Sequence, residues 1–129
     1  MSMYCDLRVA SADATFALPE VTLGYIPSAG GTQTVPRHTA RSTALLLATS
    51  GNPISAAEAY DAGLVHAVVL PAALEATARD WAERLASLPA DAVRATRRAL
   101  IEGIDLPLTH ALGLERALAA SVGSAEVRG

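Results

Sequence analysis

The sequence predicts an α/β fold class in two successive parts: residues 1–70 mix short strands with helices, and residues 71–129 are helical. Three observations predict this. Short β-like stretches fall in the first part, at residues 7–10, 15–17 and 65–70. From Pro71 onward, Leu74, Ala78, Trp81, Leu85 and Leu88 recur at helical spacing. Pro89 with Gly103, and Pro107 with Gly123, then bracket two further helices as N-terminal proline and C-terminal glycine.

In order along the chain, residues 7–10 alternate and read as a strand, with Cys5 just before them as a small core residue. A turn at Ser11-Ala12-Asp13 leads to a second strand at residues 15–17. A helix is expected to start near Thr32 and extend towards Arg37. Another covers residues 41–48, with Leu45, Leu46 and Leu47 packed on one side and Gly51-Asn52-Pro53 ending it. Ser55 caps a helix over residues 56–62, with Glu58 three residues on completing a capping box. Gly63 terminates it, and a strand follows over residues 65–70.

Composition narrows the function classes. All ten basic residues are arginine, and the net charge of −3 argues against a nucleic-acid or anionic-membrane partner. Arg94, Arg97 and Arg98 cluster, and are read as a solvated helix face. The single cysteine excludes an internal disulfide and fits a reducing compartment, hence a cytoplasmic protein. No uncharged apolar run reaches the length of a membrane span, and the first residues resemble no signal peptide. His38, His66 and His110 are far apart with no acidic partner at ligand spacing, so no metal site is expected. Gly30-Gly31 falls short of a phosphate-binding or dinucleotide fingerprint, and Ser28 has no neighbouring base to make it a nucleophile. Glu115 sits mid-stripe among Leu108, Leu112, Leu118 and Val122, where a buried interface contact and a solvated position both remain open.

The most informative stretch is residues 16–33, FALPEVTLGYIPSAGGTQ. Proline before Glu20 narrows the backbone freedom of this part of the chain, because its ring fixes its own φ and pushes its predecessor to extended geometry. A carboxylate on such a stiffened turn can be aimed, and a glycine pair lets a ligand approach backbone N–H groups closely. Read alone, the same features also suit a solvated turn and helix punctuation. The whole string, F-A-x-P-E-x-x-L-G-x-x-P-x-x-G-G-T-Q, resembles the signature segment of the crotonase superfamily, the enoyl-CoA hydratases and isomerases. Leu46 to Gly51, Ile54 to Ala59 and Ala62 to Val65 resemble further segments of that family, and Tyr4-Cys5-Asp6-Leu7 matches its C-D strand.

The resemblance implies the last part of a spiral of β-β-α turns over residues 1–70 and trimerisation helices over residues 71–129. It implies an acyl-CoA thioester as substrate and a homotrimer or hexamer as the assembly. No cofactor is implied beyond the coenzyme A carried by the substrate. Glu20 matches the acid that supplies a proton to the α-carbon during hydration of a 2-enoyl thioester. Ser28, where the family usually has glycine, offers a backbone N–H that helps place the water, and Tyr25 and Pro27 complete the implied substrate-binding set. To serve as an acid near neutral pH, Glu20 needs an apolar surround that disfavours its charged form, and Phe16, Leu18, Val21, Leu23 and Ile26 are the candidates in sequence.

The resemblance covers about half of a family member. The family's other catalytic glutamate would fall immediately before Met1, and both oxyanion-hole N–H donors would lie further upstream. Residues 127–129 stop where members continue into a last helix. Three functional readings follow: a hydratase completed by a separate N-terminal segment, an isomerase using Glu20 alone, and a non-catalytic assembly module.

Overall fold

The computed structural model describes residues 2–126. Met1 and residues 127–129, after which the resemblance implies a further helix, lie outside the described residues. Four short strands are present: β1 (Val9–Ser11), β2 (Thr15–Phe16), β3 (Ile54–Ser55) and β4 (Ala67–Val69). The helices are α1 (Gly31–Thr34), α2 (Arg41–Ser50), α3 (Ala56–Asp61), α4 (Leu74–Ala86), α5 (Ala90–Gly103) and α6 (Leu108–Glu126). Tight 3-10 turns at Ser2–Tyr4, Pro19–Leu23, Val35–Arg37 and Pro71–Ala73 connect them.

The strands pair across distant parts of the sequence. β1 runs parallel to β4 with Val9 opposite Ala67 and Ser11 opposite Val69, while β2 runs antiparallel to β3 with Phe16 opposite Ile54. One pass of chain therefore lays down β1 and β2, and the next stacks β3 and β4 on them. That is the spiral the resemblance implied; β2 and β4 are shorter than the stretches read at 15–17 and 65–70, β1 starts two residues later than the stretch at 7–10 and runs into Ser11, and β3 was not read as a strand.

The chain divides into two compact units inside α4, the first running through Arg79 and the second starting at Asp80. In the first unit the core comprises Ala10, Val35, Ala44, Leu47, Ala56, Ala59, Leu64 and Val65, with Phe16, Leu18 and Ile54 packed against it. Ala56 and Ala59 are fully buried, so α3 can lie close to its neighbours. Its start is the capping box read in the sequence: the Glu58 N–H donates to the Ser55 hydroxyl, and the Ser55 N–H donates to Glu58 Oε2 at 2.7 Å. Arg8 is the one buried charged residue of the described set. Its guanidinium donates to the carbonyls of Leu64 (2.5 Å) and Cys5, while its backbone carbonyl accepts from His66 N–H at 2.8 Å.

Three expectations need correction. Leu47 is buried, but Leu45 and Leu46 are 63% and 68% exposed, since three consecutive residues span most of a helical circumference. Cys5 is exposed rather than a core residue. The last helix does not stop at Gly123 but runs to Glu126, because one mid-helix glycine costs only about 1 kcal/mol.

In the second unit α5 and α6 pack side by side through small residues; a methyl on Gly103 would meet Ala111 Cβ at 3.7 Å. Arg94 pairs with Asp91 at 2.6 Å and Arg98 with Glu102 at 2.8 Å, all four side chains being exposed, in keeping with a solvated basic stretch. Glu115 is exposed and borders a cleft of about 260 Å³ between α5 and α6, lined also by Ala95, Ala99 and Leu118. Leu100, Ile104 and Leu108 are 70%, 75% and 73% exposed.

Candidate active site

Glu20 stands on the Pro19–Leu23 turn, and local chemistry explains why the chain turns there. Pro19 supplies a fixed φ at the first position of the turn. The Thr22 hydroxyl donates to the Pro19 carbonyl at 2.7 Å, closing the turn from its own side chain. Gly24, at φ +78°, then reverses the backbone, which lets the Tyr25 N–H donate to the Glu20 carbonyl at 3.0 Å. The carboxylate therefore rides on a turn closed at both ends.

The side chain itself is half-buried. Its Oε2 atom is buried and makes no hydrogen bond among the described residues. A buried carboxylate oxygen without a donor is uncommon, because losing water contact without replacement costs about 1–3 kcal/mol. The apolar surround expected from sequence is only partly there. Phe16 and Leu18 pack against the core, whereas Val21, Leu23 and Ile26 point largely to solvent at 42%, 70% and 74% exposure.

Tyr25 is 71% exposed, Pro27 is buried and Ser28 is exposed. Pro27 is locked in place by Gly31: a methyl on Gly31 would fall 3.0 Å from Pro27 Cβ and 2.9 Å from Leu18 Cδ2. Ser28, Ala29 and Gly30 form the next turn, and the Ser28 N–H has no partner among the described residues. Gly30 is left-handed at φ +89°, and its carbonyl accepts from Gln33 N–H (3.0 Å), Thr34 N–H (2.8 Å) and the Thr34 hydroxyl (3.0 Å), which starts α1.

The segment thus has two turns, one closed by hydrogen bonds and carrying Glu20 and one carrying Ser28, with buried Pro27 just ahead of the second. Two supporting contacts gave no signal in the sequence, although Gly51 was read there as a helix break. Gly51, at the C-terminus of α2, lies directly against the Glu20 turn, with its missing side chain replaced by Thr22 and Val21. Tyr4 donates its hydroxyl to the Ala29 carbonyl at 3.2 Å from 25 residues away. Contacts so distant in sequence leave no local pattern to read. Among the described residues no helix is long and apolar enough to cross a membrane.

The family described as enoyl-CoA hydratase/isomerase matches residues 1–128. The (E)-benzylidenesuccinyl-CoA hydratase of Thauera aromatica is 41% identical over 112 residues, covering 87% of this chain and 44% of that protein. A probable enoyl-CoA hydratase of Rhizobium meliloti is 37% identical over 126 residues, covering 98% and 49%. A crystal structure of an enoyl-CoA hydratase subunit from Geobacillus kaustophilus superimposes with a TM-score of 0.92 at 37% identity, covering 96% of this chain and 48% of that one. The chain spans about half the length of the curated relatives it matches. With the fold shared over nearly its whole length and the family match running from residue 1 to residue 128, the chain belongs to the enoyl-CoA hydratase/isomerase family.

Proposed function

We propose that this chain supplies the Glu20 side of an enoyl-CoA hydratase site, acting on a 2-enoyl-CoA thioester. The observation that carries the reading is the buried, unpartnered Oε2 of Glu20 on its doubly closed turn. In hydration, water oxygen adds to the β-carbon and a proton is delivered to the α-carbon, giving a 3-hydroxyacyl thioester. Glu20 delivers that proton, and the Ser28 N–H holds the attacking water, with Tyr25 and Pro27 bordering the substrate. The Ser28 side chain narrows the space that glycine would leave. The second glutamate, which takes the proton that the attacking water loses, and the N–H donors that polarise the thioester carbonyl come from a segment equivalent to the other half of the relatives, supplied separately or as part of a longer chain. Coenzyme A enters as part of the substrate and no other cofactor takes part. The reaction belongs to fatty-acid metabolism in the cytoplasm.

Residues 1–70 serve as the catalytic spiral and residues 71–129 as the oligomerisation region of a trimer or hexamer. The described part of α5 and α6 holds no buried side chain, while Leu100, Ile104 and Leu108 stand exposed, which favours burial in an assembly. A second reading, isomerisation, is favoured by Glu20 being the only acid of the signature segment, since moving one proton can be managed by one carboxylate.

The test is to follow loss of the conjugated thioester absorbance of crotonyl-CoA, with the chain alone and with the complementary half of a relative added. Hydration in either mixture supports the hydratase. Appearance of conjugation from a 3-enoyl-CoA, without hydration, supports the isomerase. No turnover in any mixture, together with a defined trimer by light scattering, would leave an assembly module.

A further inference from the structure

We propose that Tyr4 is a positioning residue that fixes the Ser28–Gly30 turn from a distant part of the chain, an inference that rests on the hydratase reading for its catalytic consequence. The phenol hydroxyl donates to the Ala29 carbonyl at 3.2 Å. It also occupies the place of a side chain on Gly30: a methyl there would lie 1.9 Å from the Tyr4 oxygen and 3.0 Å from Cζ. The ring therefore lies on the turn, and only glycine at position 30 admits it.

Tyr4 is itself held. The carbonyl of Met3 is hydrogen-bonded to His38 Nε2 at 3.0 Å, and the carbonyl of Cys5 accepts from the Arg8 guanidinium. Arg8 reaches on to the Leu64 carbonyl, so the backbone on both sides of Tyr4 is tied to the buried core. A tyrosine anchored in this way transmits that rigidity to the Ala29 peptide, immediately after Ser28. The turn is left with little freedom to swing its Ser28 N–H away from the water it holds.

The experiment compares wild-type chain with Tyr4→Phe and Tyr4→Met. Tyr4 is 65% exposed, so neither substitution removes core packing. Amide hydrogen exchange is read at Gln33 and Thr34, whose N–H groups donate to the Gly30 carbonyl, against Leu64 and Val65 as core controls. Exchange at Gln33 and Thr34 is expected to quicken about threefold to tenfold, as for loss of one hydrogen bond, with the controls unchanged. In crotonyl-CoA hydration kcat falls by a similar factor while KM holds. Exchange unchanged at all four amides overturns the proposal, and so does kcat unchanged in an active protein. A chain that hydrates nothing counts against the hydratase reading, and the amide comparison then decides the role of Tyr4 by itself.

Discussion

Gly51 and Thr22 are in contact at a spacing that admits no side chain on the glycine: a methyl at Gly51 would lie 2.6 Å from Thr22 Cγ2. Gly51 ends α2 in the left-handed region at φ +67°, and Thr22 closes the turn that carries Glu20. One glycine thus terminates a helix and forms the bed of the candidate catalytic turn. Gly51→Ala meets two penalties, left-handed strain and displacement of that turn. We expect it to lower unfolding free energy by about 1–3 kcal/mol in a denaturant titration, and to weaken any Glu20-dependent turnover.

Arg8 gives a second prediction. Burial pulls its guanidinium below the usual arginine range, partly opposed by the nearby Cys5 and Asp6. It is retained because it satisfies the carbonyls of Leu64 and Cys5. Arg8→Met keeps the bulk and strands both acceptors, and is expected to cost about 1.5–3 kcal/mol by the same titration. Arg8→Lys should rescue only part of this loss, since a single ammonium lacks the spread donors of the guanidinium.

How far the sequence could be read depended on whether a feature was local. The Ser55–Glu58 capping box, the break at Gly51 and the strand at Val9 rest on residues within a few positions of one another, and all were legible. The position of Glu20 after a proline was legible too, but its geometry was not. Closure of its turn by Thr22 and Gly24 is local in hindsight, yet a 3-10 turn leaves no periodic pattern over five residues. Support from Gly51 and Tyr4 arrives through folding alone. The exposed Val21, Leu23 and Ile26 show why an apolar neighbourhood in sequence is not an apolar environment in space: consecutive residues of a tight turn point in different directions.

The capping box predicts a pH dependence. Hydrogen bonds from the Ser55 N–H and hydroxyl hold the Glu58 carboxyl below its ordinary value. A carboxyl lowered on folding contributes stability that is present above its unfolded value, about 4.3, and is lost as pH falls through the lower folded value. Stability measured by denaturant at a series of pH values should therefore decline on acidification below that point, and Glu58→Gln should flatten this part of the profile. An equal slope in both proteins would remove Glu58 as its source.

Glu20 carries the central claim, and Glu20→Gln tests it most directly. The amide keeps the shape and a polar atom at the buried Oε2 position but has no acidic proton to give, so the fold should be little changed. The decisive measurement is the rate of crotonyl-CoA hydration by the chain, completed by the complementary half where that is needed, before and after the substitution. The rate is expected to fall about a hundredfold or more, the scale of losing a general acid, with an unchanged melting transition. A rate that survives Glu20→Gln undiminished would contradict it.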